Sequence, residues 1–346
     1  MHIHTCPSFP SVFFTLTHRP AYYFCTARFA LLVGHKQHFV VMNLYCKMTI
    51  TLNLNAFLLK MKILNLSELR IAENILRSHL PKCSKVYGFL YGLNRNKPSS
   101  PEVVVDSWPD FKVIICRPDT KNKHMTDYIR KVSFYSMDDE ILKIMVTEQK
   151  AIDWSTYFLL SGLDKRHESL IKEVSASRGA NMKHYMVAHL MTLPDPGLLP
   201  QLSSDIESKV SSLNESHVDL VNQNWKYGGG SLGYRYLKHL INHYPSGCIT
   251  DKHGQPVCWV LLYDYHALGM LYTLPEYRGQ GLAKALVNCM SRRLYAQGYP
   301  VYCYIAEGNT ASHSLFTSLG FTEDPQYRAA LYQINSELAG QCEYLV

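Results

Sequence analysis

Acidic residues are absent from the first 60 positions of this 346-residue chain, although those positions carry five lysines and arginines. Because the five contribute +5 of the net charge of +7, the remaining 286 residues are almost neutral. A nearly neutral body offers no basic surface to a polyanion, so we expect no nucleic-acid partner. Apolar residues make up 47% of the chain, which excludes a disordered or coiled-coil protein.

Metal-binding patterns are also scarce. None of the ten cysteines belongs to a Cys-x-x-Cys pair, which disfavours zinc ribbons and thioredoxin-type sites. His239 and His243 are four residues apart in a predicted helix, but Leu240 occupies the place where a zinc hydrolase needs a glutamate. The sequence therefore predicts no metal site.

Segment 1–60 lacks a sustained helical or alternating period. Its longest apolar runs, 29–34 and 56–59, are far shorter than a membrane span, so we expect no span there. The scarcity of acids suits an organelle transit peptide, whereas two arginines are few for one. A poorly structured leader that is cleaved, and translation that begins at Met61, are both open interpretations.

After residue 61 the chain alternates helical and extended patterns, which is typical of an α/β fold. Apolar residues recur at helical spacing after Ser67, the expected N-cap, and Pro81 ends that pattern. The proline-rich stretch 192–200 is typical of a linker, so we expect domains over 61–200 and 201–346. Further helices are predicted over 138–151, 164–177, 218–225, 234–244, 282–297 and 311–319. Strands are predicted over 86–93, 103–107, 111–116, 184–191, 248–250, 257–262, 265–273 and 301–307.

A glycine-containing loop follows the strand that ends at Thr273 and opens the next predicted helix. Glycines at a helix N-terminus allow a phosphate to reach unpaired backbone N–H groups and the positive end of the helix dipole. Arg278 and Lys284 add positive charge for a polyphosphate. The pattern alone also fits an ordinary strand-to-helix turn. The loop reads Arg278-Gly279-Gln280-Gly281-Leu282-Ala283.

A second signature lies downstream, where Asn309 follows a strand and a short helix leads to Leu319-Gly320-Phe321. Together the two signatures resemble the acyl-CoA-binding motifs of the GCN5-related N-acetyltransferase (GNAT) superfamily. The resemblance implies a GNAT-like α/β fold, a mixed sheet flanked by helices, preceded by an N-terminal α/β domain. It also implies that the loop amides bind the CoA pyrophosphate and that the preceding strand binds the pantetheine. The implied CoA-binding residues are Leu271, Tyr272, Thr273, Arg278, Gly279, Gln280, Gly281, Leu282, Ala283 and Asn309.

A closer resemblance extends over 61–335. The segments that carry it are 85–88 (Lys-Val-Tyr-Gly), 105–111, 225–229, 256–259 and 273–278. In this order they resemble the glycine N-acyltransferase family, which transfers acyl groups from acyl-CoA to glycine or other amino acids. The resemblance implies acyl-CoA as co-substrate, no permanently bound cofactor, and small-molecule partners. It also implies a monomer in the mitochondrion, with the cytoplasm and endoplasmic reticulum as alternatives.

Amide formation from a thioester needs a polarised carbonyl, a deprotonated amine and a released thiolate. The family's glutamate base is missing from 265–268, and Phe316 stands where many superfamily members have a tyrosine that protonates the thiolate. The candidate catalytic residues are therefore His266, Glu276 and Glu307 for the amine proton and Tyr304 for the thiolate.

Direct attack of an amino acid amine on acyl-CoA is the predicted reaction. Two other functions stay open. One is a GNAT acetyltransferase that acts on a protein or another amine. The other is a CoA-binding module that has lost catalysis, which the missing glutamate and tyrosine suggest.

Overall fold

The computed structural model describes residues 61–98, 101–119, 130–148, 150–202 and 207–339, and the backbone of two earlier strands. Those strands, β1 (Phe13–Thr17) and β2 (Phe24–Arg28), pair antiparallel within the unit Met1–Leu59. The leader prediction did not include this hairpin, and the rest of segment 1–60 lies outside the described residues.

The second unit, Lys60–Val346, is built on one mixed sheet. Its described strands are β3 (Lys62–Ile63), β4 (Pro101–Val105), β5 (Val113–Pro118), β6 (Lys131–Ser136), β7 (Phe158–Asp164), β8 (Met182–Thr192), β9 (Val210–Ser211), β10 (Ser246–Thr250), β11 (Pro256–Leu262), β12 (Leu268–Thr273), β13 (Tyr302–Ala306), β14 (Thr322–Glu323) and β15 (Ala329–Ile334). Its described helices are α1 (Leu66–Arg77), α2 (Ser84–Leu93), α3 (Asp139–Thr147), α4 (Glu168–Ser177), α5 (Val218–Asn224), α6 (Ser231–His243), α7 (Leu282–Ala296) and α8 (Thr310–Thr317).

The strand order is β3-β4-β5-β6-β7-β15-β8-β13-β12-β11-β10-β9, with β14 beside β8. Only β6–β7 and β12–β13 pair parallel, and the other pairs are antiparallel. Strand β8, from the predicted domain 61–200, lies between β15 and β13, which belong to the predicted domain 201–346. One sheet therefore runs across the predicted boundary at residue 200, and that boundary stays a prediction.

Alternate residues of β4 and β5 enter different hydrophobic cores, because successive side chains of a strand point to opposite faces. Val103 and Val105 join the core that α1 and α2 cover, and Val104 joins the one that α3 and α4 cover. A third core, around Trp259 and Leu286, lies beneath α7. The sheet is thus covered by helices on both faces, and the α/β prediction is confirmed.

The helix α2 corrects the predicted strand 86–93. Every residue from Ser84 to Gly92 is buried, because α2 contacts α1 together with β5 and β6. A segment that is buried on all sides has no hydrophobic period by which its sequence could distinguish a helix from a strand. The preceding helix also begins earlier than predicted, at a capping box of Asn65 and Glu68.

The proline-rich stretch 192–200 is packed rather than free. The side chain of Asn288 donates to the carbonyl of Pro200 at 2.7 Å, and Arg292 donates to that of Leu199 at 2.8 Å. These contacts fasten the stretch to α7, so it does not act as a flexible linker. Among the residues with an assigned position, no helix has the length and apolar character needed to cross a bilayer.

Candidate active site

Strands β12 and β13 are paired only at Leu268 and Cys303, and beyond that pair they separate. A cavity of about 980 Å³ lies along the separated strands, lined by Met270 and Leu271 from β12 and by Tyr304 and Ile305 from β13. Where the strands part, backbone groups that would otherwise pair within the sheet become available to a ligand.

A bulge in β12 accompanies the separation. Trp259 pairs with Tyr272 and Leu261 with Gly269, so Met270 and Leu271 stand opposite the single residue Val260. Met270 takes up a φ of +53°. An extra residue of this kind re-aims the strand locally, which turns its backbone towards the cavity.

The predicted phosphate loop follows β12. Gly279 and Gly281 have φ values of +75° and +76°, which favour glycine, and a Cβ at either position would have no atom within 4 Å. The helix α7 begins directly after Gly281, and no side chain caps its first turn. Arg278 Nε donates to the carbonyl of Thr273 at 3.0 Å and fixes the start of the loop. The arrangement leaves helix N-terminal amides facing open space, as anion binding requires.

Asn309 follows β13, three residues after its last residue Ala306, and lines the cavity, as do Glu307 and Phe316. The Asn309 side chain accepts a hydrogen bond from the amide of Ser312 at 3.2 Å, so it caps α8. Glu307 is the only acidic residue in the described lining, and its carboxylate lies 3.4 Å from Arg328 Nε.

His266 lies away from the cavity lining, in the turn between β11 and β12. The strand predicted over 265–273 begins only at Leu268, so the prediction is wrong at His266. Its ring is fully buried among Tyr91, Tyr244 and Tyr299, and Nδ1 donates to the carbonyl of Gly88 at 2.9 Å. Burial lowers the pKa of His266 to about 4, with the Gly88 hydrogen bond acting in the opposite direction. This placement gives no support to His266 as the base.

Glu276 is exposed in the short 3₁₀ turn Pro275–Tyr277 and does not line the cavity. Tyr304 does line it, and its buried hydroxyl has no hydrogen-bond partner among the described residues. Burial is the main cause that raises the pKa of Tyr304 well above its usual value, and the neighbouring tyrosines add to it. The phenol therefore keeps its proton. Of the four candidate catalytic residues, Tyr304 and Glu307 line the cavity, whereas His266 and Glu276 do not.

Two buried lysines, absent from the predicted site, also line the cavity. Lys85 comes from α2 and Lys131 from β6. Lys85 Nζ donates to Ser161 Oγ, and Lys131 Nζ lies 2.7 Å from both carboxylate oxygens of Asp264. In the sequence, Lys85 was noted only as part of the segment 85–88, which resembles the family, and no chemical role was predicted for it.

Three possible metal ligands, His189, His313 and Glu323, have ligand atoms within 4.8 Å of one another. The Glu323 carboxylate is already shared by both histidines, at 2.6 and 3.2 Å, and by Arg328 at 3.4 Å. A guanidinium beside the same carboxylate opposes a cation, so the cluster is a set of hydrogen bonds and ion pairs that joins α8 to the sheet.

A sheet that splits over a cavity, next to a glycine loop at a helix N-terminus, defines an acyltransferase fold of the GNAT type. A family model described as aralkyl acyl-CoA:amino acid N-acyltransferase matches residues 61–245, and one described as FR47-like protein matches 246–329. The chain belongs to the aralkyl acyl-CoA:amino acid N-acyltransferase family. The predicted class, an acyltransferase that uses acyl-CoA and an amino acid, is thereby confirmed.

Similar proteins agree with this assignment. Glycine N-acyltransferase of Rattus norvegicus is 27% identical over 271 residues, which cover 72% of this chain and 91% of the rat protein. Glycine N-acyltransferase of Homo sapiens is 28% identical over 278 residues, or 75% and 93% of the two chains. The X-ray structure of a Drosophila protein matches with a TM-score of 0.62 at 21% identity, covering 79% of this chain and 98% of that one.

The burial of His266 predicts a pH-dependent stability. As the pH falls from about 6.5 to about 4, the unfolded chain takes up a proton at His266 that the folded chain does not. The free energy of unfolding should therefore drop by up to about 3 kcal/mol over this range from this residue. In His266→Asn, whose short side chain tolerates the φ of +63°, denaturant titrations should show a smaller drop.

The same variant also tests the role predicted from the sequence. We expect His266→Asn to keep its turnover above pH 7. A 10²–10⁴-fold loss of turnover, together with loss of the acidic limb of the rate profile, would instead identify His266 as the base (range from).

Proposed function

We propose that this protein transfers an acyl group from acyl-CoA to the amine of glycine or a similar small amino acid. The observation that carries the proposal is the separation of β12 from β13 over a cavity of about 980 Å³. That volume is at the upper end of small-molecule sites and suits two substrates at once. The family assignment supports the acyl-CoA and amino acid classes, and the relatives' names support glycine.

In this proposal the CoA pyrophosphate binds the amides of the loop from Arg278 to Ala283, at the N-terminus of α7. The pantetheine then runs along Leu271, Tyr272 and Thr273, in the position that a neighbouring strand would otherwise occupy. Asn309 borders the cofactor from the opposite side. The outward-facing glycines and the bulge at Met270 support this path, because both expose backbone donors.

The chemical step joins the amine nitrogen to the thioester carbonyl carbon, and the C–S bond breaks as CoA thiolate leaves. An N–H of the bulged strand polarises the carbonyl oxygen. Glu307 receives the amine proton, since it is the acidic residue of the described lining. The Tyr304 hydroxyl, which has no protein partner in the described region, donates a hydrogen bond to the departing sulfur. His266 and Glu276 have no part in this scheme.

We also propose that the protein is a monomer located in the mitochondrion, because it resembles glycine N-acyltransferases. Segment 1–60, which carries five lysines and arginines and no acidic residue, is compatible with import into an organelle.

A thiol-release assay tests the reaction itself. Phenylacetyl-CoA, an aralkyl acyl-CoA, should release CoA thiol at a rate that saturates with glycine, because the amine is the attacking group. Mass spectrometry should find phenylacetylglycine as the product. CoA binding without release at any glycine concentration would point to a module without catalysis. Release that needs a protein substrate instead would point to an acetyltransferase of proteins.

Gly281→Glu tests the phosphate loop. A carboxylate at this position would fill and repel the anion site, so CoA affinity should fall by at least 100-fold, which corresponds to about 2.7 kcal/mol. Isothermal titration with CoA measures the affinity. Gly254→Glu is the matched control: Gly254 has a similar φ of +80° and open space, but lies in the β10–β11 turn. Equal CoA affinity in the two folded variants would refute the loop assignment.

Glu307→Gln tests the proton acceptor. Turnover should fall by about 10²–10⁴-fold with little change in CoA affinity, because the amide cannot take the proton. Glu276→Gln, which changes an exposed glutamate outside the cavity, is the control and should turn over normally. If Glu276→Gln lost turnover and Glu307→Gln kept it, the base would be Glu276.

A further inference from the structure

Lys85 is a buried cation with no acidic partner. The residue is 8% exposed, and none of the ion pairs formed by the described residues includes it. Its Nζ donates to Ser161 Oγ and lies 4.0 Å from the ring centroid of Tyr265 and 4.8 Å from that of Tyr304. An unpaired buried charge is costly, and lysine is rarely found so deep without a counter-charge.

The backbone of β7 leaves space for the side chain of Lys85 at Gly162. In β7, Ser161 pairs with Leu331 and Leu163 with Ala330, which leaves Gly162 as an unpaired extra residue. Gly162 has a φ of +74°, and a Cβ there would lie 2.7 Å from Lys85 Cδ. Any other residue at this bulge would be strained and would collide with the lysine stem.

The other charges of the cavity are already compensated or exposed. Lys131 is paired with Asp264 and also donates to the hydroxyl of Tyr236 at 2.9 Å. Glu307 is paired with Arg328 and is half exposed, and Lys226 is exposed. Lys85 is therefore the one buried, uncompensated charge in the part of the cavity wall that the structure describes.

We propose that Lys85 binds the carboxylate of the amino acid acceptor. This inference rests on the proposed function and adds the residue that selects amino acids among amines. The carboxylate would supply the missing counter-charge in a site shielded from water, where such a contact is strong. An amine without a carboxylate would leave the cation buried and unpaired, which gives the discrimination.

The position of Lys85 suits an α-amino acid. Tyr304, which its Nζ faces, follows Cys303, the last residue of β13 to pair with β12. The ammonium thus lies beside the point where the strands part, close to the bulged strand whose N–H is proposed to polarise the thioester carbonyl. In glycine one carbon separates the carboxylate from the amine, so a carboxylate at Lys85 keeps the amine next to that point.

A competing role for Lys85 is that of the general base. Burial lowers the pKa of Lys85 to about 7, with repulsion from Lys131 adding to the shift and Asp264 opposing it. A base acts when neutral, above that pKa, whereas a carboxylate site acts when protonated, below it. The two roles thus have opposite pH dependences. The titratable groups that face Lys85 are Lys131, Asp264, Tyr265 and Tyr304.

The first test compares glycine with glycinamide in the full-length wild-type protein, with phenylacetyl-CoA as donor. We expect kcat/KM for glycine, corrected for the fraction of free amine, to exceed that for glycinamide by roughly 10- to 100-fold, as for a charged hydrogen bond in a buried site. Equal values would overturn the inference while leaving the proposed function intact. Absence of thiol release with both acceptors would instead overturn the proposed function.

The second test uses Lys85→Met, an apolar side chain of similar length, with Lys143→Met as the control. Lys143 is on the surface, 3.7 Å from Glu173. Lys85→Met should lose roughly 10- to 100-fold in kcat/KM for glycine, mostly through KM, and little for glycinamide. Lys85→Gln, which keeps a polar group for Ser161, should give the same pattern and covers the case in which the methionine variant does not fold.

The pH dependence separates the two roles of Lys85. The wild-type kcat/KM for glycine, divided by that of Lys85→Met, should fall as the pH rises from 6 to 9, because the free enzyme loses its ammonium. The same ratio for glycinamide should stay near one. A ratio that rises with pH equally for both acceptors would identify Lys85 as the base, and a ratio near one for glycine would leave it without either role. Both results overturn the inference.

Discussion

The separation of β12 from β13 is the constraint on which the site depends. A sheet normally pairs its backbone groups with neighbouring strands, and here two adjacent strands are joined only at Leu268 and Cys303. The bulge at Met270 prevents β12 from following β13 further. The rest of the sheet pairs on both sides of this gap, so the gap stays open without loss of the fold. A long, flexible cofactor arm is the kind of ligand that fits there.

The cavity lies between β12 and β13 in the second half of the chain, and residues from the first half, such as Lys85 and Lys131, form part of its wall. Helix α2 packs against the turn before β12 so closely that a Cβ on Gly88 would lie 1.9 Å from the carbonyl oxygen of Tyr265. His266 fastens the same contact through its hydrogen bond to Gly88. This packing carries Lys85, one turn earlier in α2, into the cavity wall. A histidine that sequence patterns favour for catalysis thus holds the two halves together.

Much of the fold and part of the site follow from local sequence. The helices α7 and α8 follow from helical spacing and their flanking residues, and the strands β11 and β13 from short apolar runs. The glycine loop follows from the change of chain direction at glycine. The prediction failed at α2, which is buried on all sides, and at residues 265–267, which lie in the turn before β12 and not in a strand. Neither segment has a period of its own, so packing alone decides its conformation.

The sequence by itself indicated the class of protein, since the glycine loop from Arg278 to Ala283 and the segment after Asn309 together resemble the acyl-CoA-binding motifs of the GNAT superfamily. It did not determine which polar side chains meet the substrate. His266 and Tyr304 are both catalytic candidates in the sequence, yet His266 is buried among tyrosines and Tyr304 faces the cavity. Lys85 in α2 and Lys131 in β6 also line that cavity, although both are far in sequence from β12 and β13. Chemical roles depend on burial and on neighbours far apart in the chain, and only the tertiary structure decides those.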